Sequence, residues 1–166
     1  MAHSVTLSNG SKFILKDSRY IHIYMTIDDI TSEMMGFQNG EAVSWTKSED
    51  DVVVDDDFKG FPIGLINHSK RGNFTLNLND GSPANETTYT AYQRQMTYAE
   101  GEIPTFGFKV QNDNNGEVAE SPTCLIQKMP DGNVTNTIGP KTWTVLGLEY
   151  SDTFPDAGNS DLTVNV

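Results

Sequence analysis

The sequence predicts a mainly β protein, an antiparallel β-sandwich or barrel with one flanking α-helix. Three observations carry that expectation. Short segments alternate apolar and polar side chains with a period of two, clusters of Asn, Asp, Gly and Pro break them at regular intervals, and one stretch has the punctuation and spacing of a helix.

In chain order, Val5 and Leu7 open a short alternating segment that Asn9-Gly10 turns, and Phe13, Ile14 and Leu15 begin a second piece. Ile21, Ile23 and Met25 alternate with His22, Tyr24 and Thr26, which predicts a strand. The period is then lost, so Asp28 to Gly40 reads as a loop or a single helical turn. Glu41 to Lys47 is the next strand, with Val43 and Trp45 on its apolar face. An acidic run around Val52, Val53 and Val54 follows, then the apolar stretch Ile63 to Ile66.

Phe74, Leu76 and Leu78 alternate with Asn73, Thr75, Asn77 and Asn79, which puts apolar side chains on one face of a strand and polar ones on the other. The strand stops at Asn79-Asp80-Gly81, where Gly tolerates positive φ. Ser82 is then the N-cap, Pro83 the first helical residue and Glu86 an acid in the positive first turn. Tyr89, Tyr92, Met96 and Ala99 form the apolar stripe, and Gly101 and Pro104 set the helix end. Thr105 to Gln111 alternates again, Asn112 to Gly116 turns the chain, and Glu117 to Met129 returns antiparallel. After a turn at Pro130 to Asn133, Thr142 to Glu149 is the last long strand, with Trp143, Val145 and Leu148 inward. The tail from Tyr150 to Val166 reads as an arm or an extended strand.

With 166 residues the chain has the length of one domain, 1–166, able to bury a core. Its net charge of -12, from 23 acids against 11 bases, argues against wrapping nucleic acid by phosphate neutralisation. The same acidity suits a surface that DNA passes without sticking. There is no apolar run long enough to cross a membrane, and MAHSVTLSNG lacks the basic start and apolar stretch of an export signal, so use without export is expected. Cys124 is the sole cysteine, which excludes an internal disulfide, and between Thr123 and Leu125 it reads as a small core residue.

Neither a catalytic residue nor a cofactor or metal site is expected. His3, His22 and His68 lack metal-ligand partners at short spacing, no Ser has a nucleophile-elbow context, and no Gly-rich loop joins a strand to a helix. The stretch that calls for a role is Glu49, Asp50, Asp51, Val52, Val53, Val54, Asp55, Asp56 and Asp57, with six acids and no base. Its carboxylates do not have EF-hand spacing. An apolar triplet between two acidic triplets fits an edge strand or loop tip guarded by charge, and equally a loop that docks on another subunit.

The order Gly40-Glu-Ala-Val-Ser-Trp45, the acidic loop, Gly60, then Arg71-Gly72 before Phe74-Thr-Leu-Asn-Leu78, then Ser82-Pro83 and a helix, resembles the tail tube proteins of contractile-tailed bacteriophages. Thr123-Cys124-Leu-Ile-Gln-Lys-Met-Pro130, a turn and Lys141-Thr-Trp143-Thr-Val145 are similar to that family's paired late strands, so the resemblance spans Gly40 to Glu149. It implies a sandwich with one flanking helix that assembles into stacked hexameric rings, a hollow tube through which phage DNA passes as cargo. The implied partners are further copies of itself and the tail sheath, baseplate and terminator proteins, with no cofactor and no membrane. The implied location is the virion tail, assembled in the host bacterial cytoplasm.

On this sequence the implied stacking loop is Lys47 to Phe61, and the implied barrel strands are Glu41 to Lys47, Asn73 to Asn79, Thr105 to Gln111 and Thr142 to Glu149. Asn73, Thr75, Asn77, Asn79 and Trp143 are the candidate ring or lumen positions. Residues 1–40 and 150–166 have no counterpart in the resemblance and are candidates for subunit contacts. Two other readings stay open: a secretion-system tube protein of similar fold, and a carbohydrate-binding or adhesive β-sandwich using Trp45, Tyr89, Tyr92, Tyr98 or Trp143 as stacking platforms. Most of those aromatics fall in inward-facing patterns. Nothing pairs a nucleophile with a base, which argues against an enzyme.

Overall fold

A computed structural model describes residues 3–153. Strands β1 (His3–Thr6) and β2 (Lys12–Leu15) form an antiparallel hairpin around Asn9-Gly10, as the sequence predicts. β3 (Ile21–Ile27) then folds back into β4 (Ile30–Glu33) through Asp28 and Asp29, whose φ angles are 50° and 61°. This corrects the loop or helical turn expected over Asp28 to Gly40. Two consecutive Asp residues in left-handed conformations make a tight hairpin turn, and apolar alternation does not report on such a turn. Gly36, with φ at 85°, lies so close to Ser82 that an added Cβ would fall 2.2 Å from its Oγ.

β5 (Val43–Lys47) is followed by β6 (Val52–Asp56) and β7 (Pro62–Ile66), which pair with each other as a separate two-stranded sheet. β8 (Gly72–Asn79) leads into helix α1 (Pro83–Met96), and β9 (Phe106–Asn112), β10 (Glu117–Lys128), β11 (Pro140–Gly147) and β12 (Ser151–Thr153) follow. The main sheet has eight strands, all antiparallel, in the order β4-β3-β9-β10-β11-β8-β5 with β12 beside β10. Its long strand β10 bends: register against β9 shifts between Ser121 and Cys124, on either side of Pro122, which has no N–H for the ladder. The first half of β10 pairs with β9 and β12 and the second half with β11, so the sheet folds over on itself into a sandwich.

Between the two layers, Phe74, Leu76 and Leu78 of β8, Met25 of β3 and Val145 of β11 are fully buried. Phe74 meets Phe108 of β9 across the core with ring centroids 4.9 Å apart. The predicted alternation therefore holds on β3, β8, β9 and β11, while Leu148, past the end of β11, is exposed.

Ser82 caps α1 as expected: its Oγ accepts from the Ala84 N–H at 3.3 Å and donates to the Met35 carbonyl at 2.7 Å. The helix ends at Met96 with Thr97 as its C-cap, short of Gly101 and Pro104. Its buried face is Ala84, Thr88 and Ala91 instead of the aromatic stripe; Tyr89 and Met96 are exposed and Tyr92 is half-buried. Small side chains let the helix approach the sheet closely, and Thr88 satisfies its hydroxyl on the Ala84 carbonyl at 2.7 Å. The arm expected over Tyr150 to Val166 lies outside the described residues from position 154 onward; its start contains β12.

Candidate assembly surface

The acidic run is one arm of a β-hairpin, and its partner is the apolar stretch that sequence analysis left unassigned. Val52 pairs with Ile66 and Asp56 with Pro62. The hairpin continues the β5–β8 pair outward: the Ser48 N–H donates to the Arg71 carbonyl at 3.0 Å, and the Asn67 N–H to the Asp51 carbonyl at 2.7 Å. At this joint Glu49 accepts from Asn67 and pairs with Arg71, and Lys47 pairs with Asp51. The Asn67 hydrogen bond first, and the Arg71 charge second, hold the Glu49 carboxyl below the usual glutamate range. At the tip, Asp57 Oδ1 accepts from the N–H groups of Lys59 at 2.8 Å and Phe61 at 2.9 Å, which sets the turn.

Both faces of this ribbon are apolar. By register, Val52, Val54 and Ile66 share one face and Val53, Ile63 and Leu65 the other, with Phe58 and Phe61 at the tip. Their exposure runs from 49% for Val53 to 95% for Phe58. Asp50, Asp55 and Asp56 are exposed beside them. A ribbon that lay on a single surface would alternate apolar with polar, as β8 does. Two strands alone gain little stability in water, and among the described residues nothing covers these apolar side chains.

A second surface is mainly polar, with Leu146 opposite Asn73 within it and Lys128 opposite Thr144 at its edge. Asn73, Thr75, Asn77 and Asn79 of β8 share a face with Ser44 and Thr46 of β5 and with Thr142 and Thr144 of β11. The Thr142 hydroxyl bonds Asn77 Oδ1 at 3.1 Å, and the amides of Asn77 and Asn79 donate to the carbonyls of Glu41 at 3.2 Å and Phe37 at 3.1 Å. Trp143 shares β11 with these threonines but turns inward, 3% exposed, its indole N–H donating to Asn85 Oδ1 at 3.0 Å. It is a core residue of that strand and no part of the polar face.

Two side-chain closures had no signal in the sequence. Gln95 of α1 donates to the Ile126 carbonyl at 3.0 Å and accepts from the Ile126 N–H at 2.7 Å, so one carboxamide takes the place of a neighbouring strand along the second half of β10. Trp45 of β5 donates from Nε1 to Asp152 Oδ2 at 3.1 Å, tying β5 to β12. Asp152 also accepts from the Tyr150 hydroxyl at 3.4 Å; burial, then the Asp152 charge, push the Tyr150 phenol up to about 12. Burial pushes the Cys124 thiol up to about 11, which leaves it an inert core residue. His22 lies between Glu33 at 2.8 Å and Asp113 at 3.6 Å. Among the aromatics considered as sugar platforms, Trp143 is buried, Trp45 and Tyr92 are half-buried, and Tyr89 and Tyr98 are exposed.

No protein-family model matches this sequence, and neither does any curated protein. Among solved structures, the fold is similar to that of a chain from the anti-feeding prophage cap (AFP tube terminating cap), with a TM-score of 0.50, 13% identity, and coverage of 79% of this chain and 87% of that one. A chain from the sheath-tube complex of an extracellular contractile injection system, PVC, in the extended state matches with a TM-score of 0.50, 12% identity and the same coverage, 79% and 87%. At such identities the likeness is one of fold. The sandwich with its flanking helix is a fold found in the tube-terminating and sheath-tube assemblies of contractile injection systems.

Proposed function

We propose that this chain is a structural tube subunit of a contractile tail, with no catalytic activity. Six copies close into a ring, rings stack into a hollow tube, and DNA passes through as cargo. Sheath, baseplate and terminator proteins are its other partners, and the assembled tube belongs to a virion put together in the bacterial cytoplasm. The observation that carries this reading is the hairpin of residues 52–66: a two-stranded ribbon projecting from the β5–β8 pair, exposed and apolar on both faces, on a fold similar to that of chains in tube assemblies. Two apolar faces call for two walls, so the hairpin inserts between subunits of the neighbouring ring.

The mainly polar face of β5, β8 and β11 is the proposed lumen wall. Hydroxyls and carboxamides keep it wet while offering phosphate few cations to hold; Lys128, opposite Thr144 at its edge, is paired with Asp131. The experiment is negative-stain electron microscopy of the purified protein, with its mass by light scattering. Rings or long hollow tubes are expected. A protein that stays monomeric at high concentration, and is missing from the tubes of purified tails, overturns the reading.

A further inference from the structure

A groove of about 360 Å³ opens at the end of β8 opposite the hairpin. Tyr89 of α1, Met129 and Trp143 line it, and the charged groups around it are Asp80, Glu86, Asp131 and Lys141, whose ammonium donates to Asn133 Oδ1 at 3.3 Å. It is open to solvent, with Tyr89 44% and Met129 36% exposed. Among the described residues neither Asp80 nor Glu86 makes an ion pair, while Asp131 lies 3.6 Å from Lys128.

We propose that this groove receives the hairpin tip, Phe58-Lys59-Gly60-Phe61, of a second copy of the chain in the adjacent ring. The inference rests on the stacking reading and adds the receiving surface. Geometry supports it first. The hairpin leaves the sandwich before Gly72 and the groove opens beyond Asn79, so the eight residues of β8, about 25 Å at about 3.3 Å per residue, separate the groove from the hairpin's base, and the five-residue strands β6 and β7 put the tip about 16 Å farther away. A copy displaced along the strand direction brings its tip to this groove. That contact is heterologous, head to tail, the kind that repeats along a stack instead of closing on a pair.

The chemistry also matches. Two exposed aromatics, Phe58 and Phe61, flank Lys59, whose ammonium lies 5.5 Å from the Phe58 ring centroid and, among the described residues, has no carboxylate partner. The groove offers an aromatic and thioether floor to the rings, and its three carboxylates, Asp80, Glu86 and Asp131, outnumber its one lining cation, Lys141, which leaves it net negative for the ammonium.

The test introduces Phe58→Cys and Tyr89→Cys into one chain, both at exposed positions, and keeps the buried Cys124. After assembly and oxidation with copper phenanthroline, non-reducing gels are expected to show a ladder of dimers, trimers and longer species that reductant collapses, while each single variant stops at a dimer. Tubes without a ladder overturn the groove assignment and leave stacking intact. Monomers from both the variant and the natural chain overturn the stacking reading and this proposal with it. As a second readout, Lys59→Glu is expected to lose tubes and Glu86→Lys in the same chain to restore them; a Lys59→Glu protein that assembles as the natural chain does overturns the assignment.

Discussion

Leu76 lies fully buried opposite Val43 of β5 and Trp143 of β11, so truncating it leaves a cavity walled by three strands. Leu76→Ala is expected to cost about 2–5 kcal/mol in a urea melt; a change near zero would contradict the inward assignment. Glu117 poses a different question, of charge. Burial first and Asp152 second raise its carboxyl above the usual range. The folded chain thus holds that proton more tightly than the unfolded chain, and stability falls as pH rises from the ordinary glutamate range through the raised folded value. Glu117→Gln is expected to be the more stable protein at neutral pH and to converge with the natural chain in acid. Identical melting profiles at all pH values would remove Glu117 as a source of strain.

At the scale of elements, the second half of β10 shows how an edge is closed without a strand. Gln95 supplies one donor and one acceptor to Ile126, so α1 both covers the core and blunts the sheet. Gln95→Met keeps the bulk and removes both bonds; it is expected to cost about 1–3 kcal/mol and to speed amide exchange at Ile126. Exchange as slow as in the natural chain would mean that another group protects that amide. The opposite edge, β5, is tied at Trp45 to Asp152 and extends into the hairpin through the Glu49–Arg71 and Lys47–Asp51 pairs. These ion pairs are exposed and sit at the joint between sheet and ribbon, where they add little to the stability of the fold.

For the whole molecule, the sandwich buries one set of apolar side chains and leaves another, on the hairpin, uncovered. Because Val53 belongs to the uncovered set, Val53→Asp is expected to leave the monomer folded by circular dichroism while blocking ring stacking. Tubes of unchanged length would show that the triplet does not carry the contact. The acidic flanks, Asp50, Asp51, Asp55, Asp56 and Asp57, set like charges beside the exposed triplet, which disfavours indiscriminate pairing of such a ribbon.

Much of this architecture follows from the chain's local chemistry. The strands carrying Ile23 and Met25, Phe74 to Leu78, Phe106 to Val110 and Trp143 to Val145 are legible because side-chain direction in a strand alternates with every residue, and the start of α1 because Ser82 and Pro83 satisfy or remove its first free N–H groups. Tertiary structure alone decided which apolar run pairs with the acidic one, that Ala84, Thr88 and Ala91 face the sheet while Tyr89 does not, and that Gln95 and Asp152 close open edges. Each of those outcomes depends on the space and hydrogen-bonding groups offered by residues distant in sequence, and a periodicity read along the chain carries no information about them.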